Sequence, residues 1–94
     1  MKFTSFLHEG TYAEMKDDIT KELKPLVKGT FKFEEDKELI IIVTDSDDDA
    51  KEATAYLNDM TIRPVKYFKK KFGRHIYKIY QDGKNVNIKW TKWD

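Results

Sequence analysis

Arg63, Lys66, Lys69, Lys70, Lys71 and Arg74 crowd into one short stretch, with Tyr67, Phe68 and Phe72 interleaved and Lys78 and Lys89 continuing the positive charge. Lysines and arginines neutralise phosphates, and exposed aromatic rings stack on bases, so this combination has the chemistry of nucleic-acid contact. Two other uses fit the same residues. Lysines protect exposed sheet edges, and in a strand Lys69 and Lys71 point away from Lys70. An acidic protein partner would also meet them. Near the end of the chain, Trp90 reads as core, whereas Trp93 falls on the other face of the same strand and is a candidate anchor for a partner.

Two other constellations offer less. Asp45-Ser46-Asp47-Asp48-Asp49 follows an apolar run, and carboxylates at a strand end can hold Mg²⁺ or Ca²⁺. The calcium-loop template fails, because Ala50 stands where it needs glycine and Tyr56 where it needs glutamate. The acidic run is read instead as the first turn of a helix, where the dipole favours negative charge. His8 and His75 are the two histidines, and cysteine is absent. This excludes disulfides, thiolate zinc sites and a cysteine nucleophile. His75 is expected to be a packed, hydrogen-bonded strand residue opposite Trp90. No Gly-rich phosphate loop, nucleophile elbow or separated acid–base pair is present, so a non-enzymatic protein without metal or cofactor is expected.

The elements that position these residues are legible from patterning. Thr11-Tyr12-Ala13-Glu14 has the form of a capping box. Tyr12, Met15, Ile19, Leu23 and Leu26 recur at helical spacing until Pro25 and Gly29 end the pattern. Phe31 and Phe33 alternate with Lys32 and Glu34 in a half-buried strand. Leu39–Val43 is a β-branched run, read as a central strand covered on both faces. A second helix starts in 45–49 and buries Ala50, Ala53, Leu57 and Met60. Residues 65–71 and 74–81 are read as strands. Asp82-Gly83 signals a hairpin that pairs Ile79 with Val86, Tyr77 with Ile88 and His75 with Trp90 in the core. Ile76, Lys78, Tyr80, Asn87 and Lys89 then share the opposite face. The expectation is one small α+β domain, two helices on a mostly antiparallel sheet, in the order α-β-β-α-β-β-β.

Composition sets the outer bounds. With 94 residues the chain makes one domain with one modest core. Apolar residues at 39% and aromatics at 14% are too many for a disordered chain. No apolar run reaches membrane-span length, and no secretory h-region is present. The net charge of +1 hides an asymmetry: residues 1–60 hold 8 Lys/Arg against 15 Asp/Glu, and residues 61–94 hold 10 against 2. A basic face and an acidic face follow.

The N-terminus, MKFTSFLHEG, begins Met1-Lys2 and carries Phe6, Leu7, His8, Glu9 and Gly10. It resembles the capsid-targeting leader of internal head proteins of T-even-type tailed phages. In that family the prohead protease cuts after glutamate in a Leu/Ile-x-Glu context, before a small residue. Leu7-His8-Glu9 followed by Gly10 is similar to that site. The resemblance implies trimming to 10–94, packaging in the phage head, injection with the DNA, and non-enzymatic action in the host cytoplasm. It further implies inhibition of a host defence or nucleic-acid enzyme, such as a restriction nuclease. The near-neutral body departs from a strongly basic packaged protein, so a host protein is the expected partner rather than bulk DNA. The alternative is a small cytoplasmic nucleic-acid-binding module that uses its basic C-terminal sheet face.

Overall fold

The structure, a computed structural model, describes residues 12–91. Its first helix, α1, is α-helical over 12–18 and continues as a π-helical turn, Ile19–Leu23. Met15, Ile19 and Leu23 lie four residues apart and are buried. At 3.6 residues per turn such a repeat drifts around the helix, and the wider turn keeps Leu23 in line with the others. The turn closes through Lys24 N–H donating to Ile19 O at 2.7 Å. Pro25 follows, where its ring does not permit a continued helix. Val27 is buried and Leu26 half-buried.

Gly29 turns the chain into strand β1, Thr30–Glu34, which pairs with β2, Leu39–Val43. A 3₁₀ turn over Glu35–Lys37 and a left-handed Glu38 join them. Helix α2, Asp47–Leu57, is capped by Ser46, whose Oγ accepts from Asp49 N–H at 3.1 Å. Asp47, Asp48 and Asp49 lie in its first turn, as the dipole argument requires. Helix α3, Arg63–Phe72, precedes the hairpin of β3, Ile76–Asp82, and β4, Asn85–Trp90. The sheet order is β1-β2-β4-β3, antiparallel throughout.

The fold is α+β, with three helices and four strands among the described residues. The order is α-β-β-α-α-β-β, so the stretch 65–71 is helix rather than strand. Its β-branched and aromatic content resembles a strand, but Val65, Phe68 and Phe72 recur at three and four and are all buried. Pro64 in the first turn and lysines in the last turn favour the helix as well.

Helices cover one face of the sheet. Ile40, Ile42, Val86, Ile88 and Trp90 form one core with the apolar stripes of α1, α2 and α3, and Phe31, Phe33, Ile76 and Ile79 pack against it. The ring of Tyr12 stacks on Trp90 with centroids 4.9 Å apart, which ties α1 to the sheet. Leu39, Ile41 and Val43 point the other way and are only half-buried. No described helix covers them, so β2 is not buried on both faces as expected.

Four smaller expectations also change. The hairpin pairs Gln81 with Val86 and Ile79 with Ile88, a slip of two residues that preserves the side-chain faces. A bulge between Ile76 and Lys78 puts Ile76 opposite Trp90 and leaves Tyr77 75% exposed, so those two exchange faces. Met60 lies beyond the end of α2 and is exposed, not part of its buried stripe. His75 is half-buried, its Nδ1 3.3 Å from Thr91 O. It lies before β3 and not opposite Trp90. The Thr11 capping box, the leader and Trp93 lie outside the described residues.

Candidate functional site

The cationic run does not form one patch. The helical geometry of α3 divides it. Arg63, Lys66 and Lys70 are spaced three, four and seven residues apart, so they share one outward face with Tyr67, which is 51% exposed. The helix holds no acidic residue. Among the described residues none of these three cations forms an ion pair. They are a solvated positive ridge directly opposite the buried Val65, Phe68 and Phe72.

The other cations of the run are engaged. Lys71 Nζ lies 3.5 Å from Glu14 and 3.4 Å from Asp18, across the groove between α3 and α1. Desolvation pulls its pKa down, but Asp18, with smaller help from Tyr67 and Glu14, outweighs that and the net shift is upward. Lys69 Nζ donates to Asn58 Oδ1 at 2.8 Å, and partial burial pushes its pKa down. Lys69, Asn58 and Tyr77 wall a cleft of about 220 Å³ between the end of α3 and β3. That is below the roughly 300–1,000 Å³ of ordinary small-molecule sites. Arg74, past the helix end, has contacts of its own and does not extend the free ridge.

Lys78 and Lys89 belong to a second surface, the sheet face that the helices leave open. Registers place Lys32, Ile41, Asn87 and Tyr80 in one row across β1, β2, β4 and β3. The adjoining row is Glu34, Leu39, Lys89 and Lys78. Lys78 Nζ sits 5.3 Å from the Tyr80 ring centroid and Lys89 Nζ 5.8 Å from that of Tyr77. Asn87 is only 7% exposed, and its Oδ1 has no hydrogen-bond partner among the described residues. Strand alternation alone assigns Lys78, Tyr80, Asn87 and Lys89 to this face. Lys32 and Ile41 were missed as members of it. The alternation Phe31-Lys32-Phe33 gave Lys32 a direction, but only the sheet order brings it into the same row.

Among the described residues, the acidic run included, no group of three or more His, Cys, Asp or Glu side chains is placed to hold an ion. The run's remaining polar anchor is Thr44, buried at the end of β2. The Thr44 hydroxyl donates within reach of Lys84 O, 2.6 Å, and Ser46 O, 2.8 Å, and so pins the hairpin turn to the start of α2. The candidate site is therefore two exposed surfaces, one face of α3 and one face of the sheet. No family model, curated protein or solved structure matches the chain.

Proposed function

We propose that this chain is an internal head protein of a tailed phage, packaged and injected with the DNA, which acts in the host as a non-enzymatic effector. Its partner is a host protein with an acidic surface, such as a defence or nucleic-acid enzyme. The leader-like Leu7-His8-Glu9-Gly10 supports the packaging. The single observation that carries the docking is the α3 ridge, where Arg63, Lys66 and Lys70 share one exposed helix face with no counter-charge among the described residues. An exposed cationic helix face suits electrostatic docking, which accelerates encounter and selects partners.

The ridge is tested by the triple reversal Arg63→Glu/Lys66→Glu/Lys70→Glu. All three side chains are exposed, so the fold survives. Wild type is expected to retain a defined host protein from an extract of its host, weakening with added salt, and the variant to lose it. Retention of the same protein by the variant would remove the ridge from the mechanism. Packaging has its own test. Glu9→Ala is expected to leave the body folded and to block trimming by a prohead protease. Equal trimming of both chains would show that the cut is elsewhere.

The second reading, a nucleic-acid-binding module, is favoured by one specific observation: lysines beside tyrosine rings on the open sheet face. Duplex and single-stranded DNA titrations separate it from the first. An effector that works through the α3 ridge alone binds neither tightly.

A further inference from the structure

We infer that the open face of the sheet is a platform for a single-stranded nucleic acid, with bases stacking on Tyr80 and Tyr77, phosphates on Lys32, Lys78 and Lys89, and the Asn87 amide meeting a base edge. This rests on the second reading above and specifies it.

Four observations converge on one surface. Lys78 and Lys89 are direct register partners on neighbouring strands. Like charges set opposite each other destabilise a sheet, and an anion bridging them relieves that repulsion. Each of these ammonium groups also lies beside a tyrosine ring, 5.3 Å and 5.8 Å from the centroids. Cations next to stacking surfaces match the alternation of phosphate and base along a single strand. Tyr77 is 75% exposed because the bulge at Ile76/Lys78 turns it out of the core, so its ring is available for stacking. Asn87 lies at the centre of the row, between Ile41 and Tyr80, with a buried Oδ1 that no group among the described residues satisfies. Buried polar atoms are normally paired. An asparagine amide offers donors and an acceptor side by side, the pattern that a base edge completes.

The charge of the face selects this occupant over a second copy of the chain. Across a two-fold axis the same patch meets itself, so Lys32, Lys78 and Lys89 would face their own counterparts. The carboxylates at hand are Glu34, already paired with Lys37 at 3.2 Å, and Asp82 in the outer row. A duplex is also a poor fit, because a flat sheet with exposed rings reaches bases that are unstacked and accessible.

Fluorescence anisotropy of the full chain with labelled oligothymidine, with labelled oligoadenine, and with the duplex they form tests the inference. Wild type is expected to bind the single strands in preference to the duplex. With three lysines on phosphates, log K should fall against log salt with a slope of about −2. Tyr80→Ala is expected to weaken single-strand binding about tenfold. Tyr77→Ala removes an exposed ring that the fold does not need, and should weaken it several-fold. Lys78→Glu/Lys89→Glu should abolish it, and Asn87→Ala should weaken it several-fold. Single-strand binding that survives Tyr77→Ala and Lys78→Glu/Lys89→Glu but is lost in the α3 triple reversal overturns the platform and leaves nucleic-acid binding on the ridge. No binding of any nucleic acid by wild type overturns both. A dimer in sedimentation that Lys78→Glu/Lys89→Glu alters would assign the face to a second copy instead.

Discussion

Phe68→Ala is expected to lower the stability of the domain by about 3–5 kcal/mol, the cost of removing a fully enclosed aromatic side chain. Phe68 has no exposed surface, and its ring lies 5.4 Å from that of Phe72. With Val65 it forms the stripe that carries α3 onto the core. Domains of this size have about 5–15 kcal/mol in total. At about 4–8 °C per kcal/mol, the melting temperature should drop by roughly 12 °C or more. The neighbouring Tyr67→Ala, on the exposed face, should change stability by no more than about 0.5 kcal/mol. Thermal and urea denaturation followed by circular dichroism measure both. The contrast between adjacent aromatics is the signature of the helix. A helix with Phe68 inward also buries Val65 and Phe72, and it is this spacing that turns Arg63, Lys66 and Lys70 out together. Comparable losses at Tyr67 and Phe68 would refute the packing and the ridge with it.

Gly29→Ala is expected to exceed the cost of backbone strain alone. Gly29 has φ +144°, a region that side-chain-bearing residues adopt only under strain of about 1–3 kcal/mol. A Cβ there would also stand 2.6 Å from Val43 O and 3.1 Å from Ile42 Cγ2. Val43 is the ladder partner of Thr30, so its carbonyl cannot retreat without opening the first pair of the β1–β2 ladder. Gly83 supplies the control. It has φ +62° but nothing within reach of a Cβ, so Gly83→Ala carries only the left-handed penalty of about 1–2 kcal/mol. If the two alanine variants unfold at the same urea concentration, the close approach of Gly29 to β2 is not structurally important. A larger loss at Gly29 makes the α1–β1 junction the point that sets the position of β1. It would thereby set the position of Lys32 in the row on the open face.

Much of this architecture was written in local patterns. Met15, Ile19 and Leu23 marked the buried side of α1, Ala50, Ala53 and Leu57 that of α2, and the acidic run Asp45–Asp49 the start of α2. Alternation put Val86, Ile88 and Trp90 on one side of β4 and Asn87 and Lys89 on the other. A period of two makes that division robust, so even a hairpin slipped by two residues left it intact.

Tertiary structure decided the rest, because local signals there were balanced or absent. Residues 65–71 carry strand-like residue types on helix-like spacing. Propensity is a weak preference beside the burial of Val65, Phe68 and Phe72, and packing against α1 resolved it as helix. That outcome dispersed a run of cations that looks continuous in sequence. Lys71 went to Glu14 and Asp18, Lys69 to Asn58, and Arg63, Lys66 and Lys70 to a free ridge. The row of Lys32, Ile41, Asn87 and Tyr80 has only a partial local signal, the hairpin that joins Tyr80 to Asn87. Lys32 and Ile41 come from strands distant in sequence, and only the order β1-β2-β4-β3 brings them beside that pair. Which side chains point together along a strand is a property of the chain. Which strands become neighbours is settled by burying the apolar faces of all three helices on one side of a single sheet.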